Sequence, residues 1–180
     1  MKIPEINSVC YIGAGSMGCY NSLLAALVGY RVALYDISQE TLEQVDARQR
    51  QFGDSIVAAG LCLQEHIDQA LTLVTLHRDL ESITESIDLV SESITEELDI
   101  KRETHAYLDR VFPAKTIITT NTSALLVSEI EDVLERGDKF AALHSHLGST
   151  LVDIVGGPRT SSETISILQR YVLSLNCVPM

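Results

Sequence analysis

The chain has 180 residues and a formal net charge of −12, long enough for one domain with a substantial core and barely long enough for two. Almost half of it is apolar (46%), yet no run nears the ~20 apolar residues that cross a bilayer, so no membrane partner is expected. An acidic balance without clustered Lys and Arg also argues against a nucleic-acid partner.

The start, MKIPEINSVCYIG, has one lysine followed by an acid, and glycines interrupt the apolar stretch behind it. It is not read as a secretory signal, and a cytoplasmic location is expected. Strand-like runs follow at 8–13, 31–36, 71–76, 87–93, 116–121, 139–144 and 151–155. Between them, 16–28, 38–58, 97–110, 125–134 and 161–174 read as helices. Ser38 and Ser161 are expected N-caps, and Gly137, after DVLER, a helix terminator. The segment 53–66 reads as one bent helix or as two joined near Gly60. Strands alternating with helices predict a Rossmann-type, doubly wound α/β fold with a mostly parallel sheet, residues 1–180 forming one domain. Cys10, Cys19, Cys62 and Cys177 lack any CxxC spacing, so neither disulfides nor a structural zinc is expected.

Within YIGAGSMG, Gly13, Gly15 and Gly18 stand in the order G-x-G-x-x-G, with Ser16 and Met17 between the last two. The first glycine permits a tight turn, the second a close approach of backbone to a pyrophosphate, and the third close packing of helix on sheet. The pyrophosphate then sits at a helix N-terminus. The motif follows an apolar strand, opens an apolar helix, and precedes a second strand that ends in Asp36. That whole context is what the fingerprint demands. A carboxylate at Asp36 accepts from the ribose hydroxyls and repels a 2′-phosphate, and neither Ile37 nor Ser38 answers it with an arginine. Arg48 and Arg50 are expected to be solvated. NAD is therefore the expected cofactor.

Further on come SESITEELDIK, TNTSAL and KFAALH, the last followed by a glycine-containing loop and LVDIV. In this order they resemble the NAD-binding domain of the L-3-hydroxyacyl-CoA dehydrogenase family, from about residue 8 to the C-terminus. The resemblance implies that Glu96 and Lys101 contact the cofactor near its nicotinamide half. It places Asn121 and Ser123 near the nicotinamide and the substrate oxygen. It makes His144 the catalytic base and Asp153 its orienting partner, where the family has a glutamate. It further implies a small-molecule substrate, oxidation of the hydroxyl of a 3-hydroxyacyl-CoA, and a homodimer in the full-length form. The family's helical substrate domain is not contained in these 180 residues.

These residue types suit the chemistry. Oxidising a secondary alcohol removes its hydroxyl proton while hydride leaves, and imidazole serves as base near neutrality. A carboxylate on the far nitrogen fixes the tautomer. A serine hydroxyl and an amide donate to the oxygen as it gains carbonyl character. Other readings stand beside these: Asn121 and Ser123 as helix caps, Glu92 to Lys101 as a solvated helix start, and His144 as a histidine without chemistry. His144 and His146 are spaced to face one way and bind a metal, but no third ligand is evident, so no metal is expected. The segment HSHLGS departs from the family's aromatic pair and Asn-Pro, and the loop is shorter. A free hydroxy acid or sugar acid thus remains an alternative substrate, and a non-catalytic NAD-binding module an alternative function.

Overall fold

The computed structural model describes residues 2–180. Strands β1 (Ser8–Ile12), β2 (Arg31–Tyr35), β3 (Val74–His77), β4 (Leu89–Glu92), β5 (Ile117–Thr120), β6 (Phe140–Ser145), β7 (Leu151–Gly156) and β8 (Val178–Pro179) form one sheet. Its order is β3-β2-β1-β4-β5-β6-β7-β8. Every pairing is parallel except β6 with β7. The expected doubly wound α/β fold is what forms.

Strand residues alternate between two cores. Val9, Tyr11, Val32, Leu34, Leu89 and Leu143 pack on one face against helices α1 (Ser16–Leu27), α3 (Val45–Ala58), α4 (Gln64–Leu71) and α7 (Ser162–Ser174). Cys10, Ile12, Ala33, Val90, Ile118 and Ala142 pack on the other with α5 (Leu98–Val111) and α6 (Val127–Glu131). A sheet covered on both faces has no solvent side, so its strands read as continuous apolar runs. Cys10, Cys19 and Cys177 are buried, and all four thiols are free. No helix of the described residues is long and apolar enough to cross a membrane.

The sequence expectations need three corrections. The helix expected over 38–58 is two: α2 (Gln39–Glu43), capped by Ser38, which accepts from the Thr41 amide, and α3. The segment 53–66 takes the second of its two expected forms, two helices, with Gly60 turning the chain at φ +72° before α4. The helix expected over 125–134 shortens to Val127–Glu131, and Gly137 opens a 3-10 turn well beyond it. A Cβ there would lie 2.4 Å from Arg159 Nε, so that glycine makes room for a guanidinium and ends no helix. Strand β8 was not anticipated, since two residues, one a proline, carry no periodic signal.

One buried charge cluster ties the centre of the sheet together. Glu92, at the end of β4, has no exposed side-chain surface. Its Oε1 accepts from Lys101 Nζ (2.6 Å) and the Ile94 amide (2.7 Å). Its Oε2 accepts from Thr120 Oγ1 (2.6 Å) and lies 2.8 Å from His105 Nε2. Burial pushes this carboxyl up, but the hydrogen bonds and charges of His105 and Lys101 outweigh it and hold the group at about 2. A depressed carboxyl stabilises the fold fully above its ordinary value of 4.5 and loses that contribution as pH falls towards about 2. Glu92→Gln is expected to cost about 3–5 kcal/mol at neutral pH, because Lys101 stays buried with its charge poorly matched. It should also flatten the acid limb of the stability profile between those two pH values. Guanidinium unfolding across pH, wild type against variant, tests both; equal acid limbs would contradict the assignment.

Candidate functional site

The strand order reverses between β1 and β4, whose flanking connections cover opposite faces of the sheet. Ligands of open α/β sheets bind at such a switch, outside the carboxyl ends of the strands. Two cavities lie there. One of about 760 Å³ is lined by Gly13, Gly15, Asp36, Arg48, Ile94 and Tyr107, among others. The second, of about 400 Å³, is lined by Met17, Glu96, Asn121, Ser123 and His144. Both are walled by Ser93 and Ile94, so they form two halves of one trough that bends over the glycine turn.

The fingerprint glycines differ in what they accommodate. Gly13 has φ +96°, and a Cβ there would stand 2.6 Å from the Ser93 carbonyl oxygen. A Cβ on Gly18 would come to 1.8 Å from the Gly13 carbonyl oxygen. Above Gly15 there is open space. Helix α1 starts at Gly15 with no side-chain cap and no acid in its first turn, whereas α2 and α7 have serine caps and Glu40 or Glu163. The first amides of α1, including those of Ser16 and Met17, thus have no partner within the helix. This is a cradle suited to a dinucleotide pyrophosphate.

Asp36 stands at the rim of the larger cavity. Its Oδ2 accepts from the Ala14 amide and its Oδ1 from the Ser38 amide, each at 2.8 Å. It therefore braces the glycine turn as well as facing the trough. Arg48 corrects the expectation of a solvated side chain: its Nη1 donates to the Ala14 carbonyl at 3.1 Å, and it lines the cavity beside Asp36. Arg50 is on the surface, paired with Asp46 and Asp68.

Around the smaller cavity, Glu96 gathers the loop after β5. Its Oε1 accepts from Thr122 Oγ1 (2.6 Å), the Ser123 amide (2.8 Å) and the Ala124 amide (3.2 Å). Burial raises its pKa, but these hydrogen bonds and the Lys101 charge prevail and lower it, so Glu96 is anionic at neutral pH. Lys101 is wholly buried, 3.5 Å from Glu96 Oε2. It meets the trough through Glu96 and exposes no surface of its own. Asn121 Oδ1 accepts from the Ser145 amide at 2.9 Å, which leaves its amide nitrogen as a donor. Neither Asn121 nor Ser123 caps the next helix, whose N-cap, Leu126, has no side-chain cap hydrogen bond; Thr122 Oγ1 accepts from the Leu125 amide in the loop before it.

His144 is the penultimate residue of β6, directly across the antiparallel ladder from Asp153. Its Nδ1 lies 3.3 Å from Asp153 Oδ2. Sequence reasoning missed Arg48, Thr122 and Ser145, and also Asn21, whose side chain bonds Ser145 Oγ at 2.8 Å. Thr122 and Ser145 lie inside TNTSAL and HSHLGS but had no role assigned there; the fold brings Asn21 and Ser145 together across 124 residues.

A family model described as 3-hydroxyacyl-CoA dehydrogenase, NAD binding domain, matches residues 8–180. The 3-hydroxyadipyl-CoA dehydrogenase of Escherichia coli (strain K12) is 31% identical over 180 residues, covering 98% of this chain and 38% of that protein. The mitochondrial hydroxyacyl-coenzyme A dehydrogenase of Homo sapiens is 28% identical over 187 residues, covering 97% and 58%. The crystal structure of (S)-3-hydroxybutyryl-CoA dehydrogenase from Ralstonia eutropha superposes with a TM-score of 0.91 at 25% identity, covering 97% of this chain and 62% of that one. The chain thus spans 38–58% of the length of these two relatives of known sequence.

The glycine geometry separates folding from binding. Gly18→Ala should destabilise the fold by about 1–3 kcal/mol or more, since backbone must move. Gly15→Ala should cost less than about 1 kcal/mol, the loss of a tolerable N-cap, yet weaken NADH binding by crowding the open cradle. Denaturant midpoints and NADH titrations of the two variants check this. Gly15→Ala with undiminished NADH affinity would contradict the placement of the pyrophosphate.

Proposed function

Because this chain belongs to the NAD-binding domain family of the 3-hydroxyacyl-CoA dehydrogenases, we propose that it oxidises the hydroxyl of a 3-hydroxyacyl-CoA to the 3-oxoacyl-CoA. The observation that carries the reading is the pairing of His144 Nδ1 with Asp153 Oδ2 at 3.3 Å, beside a trough that also displays Asn121 and Ser123. NAD, the cofactor of the family, supplies the hydride acceptor when bound. Gly13, Gly15, Ser16, Met17 and Gly18 would hold its pyrophosphate, Asp36 its adenosine ribose, and Glu96, with Asn121, the rim of its nicotinamide half.

The chain's own groups then divide the work. Asp153 accepts a hydrogen bond from His144 Nδ1–H, which keeps the proton on Nδ1 and leaves the lone pair on Nε2. Nε2 takes the substrate hydroxyl proton, and the carboxylate stabilises the imidazolium that results. Asn121, its oxygen engaged by the Ser145 amide, offers its nitrogen to the substrate oxygen. The Ser123 hydroxyl stands beside it as a second donor. Glu96 fixes the Ser123 amide and the Thr122 hydroxyl, and thereby the loop that presents both donors. The 180-residue chain supplies one wall of this site. Productive poses need opposing walls and exclusion of water.

Turnover of 3-hydroxybutyryl-CoA by the 180-residue chain is therefore expected to be slow, and faster once a helical substrate domain is joined to it. His144→Ala should lower kcat by about 10²–10⁴-fold while leaving NADH affinity unchanged. Steady-state kinetics decides, and undiminished turnover in the variant would remove His144 as the base. For the cofactor, NADH should bind more tightly than NADPH, with Asp36→Ala closing the gap by roughly 1–3 kcal/mol. Arg48, already beside Asp36, is the cation available to a 2′-phosphate once that carboxylate is gone. Calorimetric titration with both cofactors measures the gap; equal affinities in the parent would sink this assignment.

A further inference from the structure

The dehydrogenase reading uses His144 and Asp153 and leaves His146 idle. We propose that His144, His146 and Asp153 together form a binding site for a divalent transition-metal ion of the zinc class. The same ion, when bound, deprives His144 of its function as a base.

Three observations carry the site. The antiparallel register sets Asp153 opposite His144, and His146, two residues further on, falls on the same side of the chain. The imidazole rings meet edge to face with centroids 4.2 Å apart. One ligand atom from each residue lies within 4.8 Å of the others, with His144 Nδ1 3.3 Å and His146 Nε2 3.8 Å from Asp153 Oδ2. Ligand atoms about 2.0–2.2 Å from a tetrahedral zinc lie roughly 3.3 Å from one another. One pair already has that spacing. The other two pairs both involve His146, whose side chain is 55% exposed and must rotate to close them. Two imidazoles and a carboxylate select zinc, cobalt or nickel over magnesium or calcium. The fourth position faces solvent and would take water. Sequence reasoning pairs Asp153 with His144 only as its orienting carboxylate; the structure also sets it 3.8 Å from His146.

The consequence for chemistry follows from the ring itself. As a base, His144 carries its proton on Nδ1, towards Asp153, and keeps the lone pair on Nε2. An ion on Nδ1 displaces that proton to solvent, and Nε2 takes up a proton from solvent in exchange, so the ring stays neutral with one proton and none is gained or lost overall. Nε2 then has no lone pair with which to accept a proton from substrate. This second half rests on His144 being the base; the binding half does not.

The test is a calorimetric titration of the 180-residue chain with Zn²⁺, in a Cys62→Ser background because Cys62 is the one cysteine that is not buried. Cobalt(II) is added in parallel for its visible spectrum. The expected result is one ion per chain and the strong bands of four-coordinate cobalt. His146→Ala should weaken binding by at least about tenfold without changing the NADH titration. No binding tighter than millimolar, or an affinity indifferent to His146→Ala, would overturn the site. Zinc should also suppress dehydrogenase turnover in the parent far more than in His146→Ala. Turnover untouched by bound zinc would overturn the second half and the base assignment with it, while the site itself would stand.

Discussion

A carboxylate with no exposed surface sits at the hinge of this molecule. Glu92 closes β4, at the strand next to the topological switch, and its two oxygens take donors from four places in the chain: Ile94, Lys101, His105 and Thr120. An isolated charge so placed is strongly unfavourable. Its partners must therefore hold their positions, and one of them, Ile94, walls both halves of the trough. Thr120 fixes β5 beside β4. Lys101 and His105 fix the first turns of α5, and Lys101 reaches on to Glu96. Glu96 in turn gathers the Thr122–Ala124 loop. A chain of charge-assisted hydrogen bonds thus runs from the sheet's interior to the two donors at its edge. Hydrophobic packing alone is non-directional and would not fix their orientation.

A comparable economy governs the other half of the trough. Asp36 uses both oxygens to hold the glycine turn through the Ala14 and Ser38 amides, and each oxygen keeps a lone pair for a ribose hydroxyl. Arg48 grips the same turn from the carbonyl side of Ala14. The peptide that carries the fingerprint is therefore clamped by one anion and one cation. In the proposed function, cofactor discrimination would be a balance between those two charges across a single residue, with the carboxylate favouring the unphosphorylated ribose.

How far the sequence could be read depended on how local the signal was. The fingerprint, the Ser38 and Ser161 caps and most of the strand-helix alternation are contiguous patterns and lie within a residue or two of where they were placed, whereas β3 begins three residues later than expected. Helix ends around Gly60 and Gly137 were harder. A glycine can end a helix, turn a loop or make room for another side chain, and only the packing of Arg159 decides the case of Gly137. Candidate site residues on strand ends were legible through a resemblance. Their supporting partners were not: Asn21 and Ser145 meet across 124 residues, and Arg48 reaches the turn because α2 and α3 are separate helices. Contacts closed by tertiary folding leave no periodic trace.

The one antiparallel pairing in the sheet explains how a carboxylate comes to face His144 at all. In a parallel sheet only the carboxyl ends of the strands reach the ligand edge, and successive strands are separated by whole helices. Strand β7 runs the other way, so its beginning, not its end, lies at that edge. Asp153, its third residue, then falls directly opposite His144, with only the 146–150 loop between the two strands. A loop this short holds the register firmly, and a slip of one residue would turn Asp153 to the other face. The departure at HSHLGS consequently does more than shorten a connection. With His144 and Ser145 at the end of β6 and His146 first in the loop, it brings a second imidazole to the carboxylate that faces the first. One acidic group then faces two nitrogen bases, and whether a proton or a metal ion lies among them determines whether His144 has a lone pair to offer.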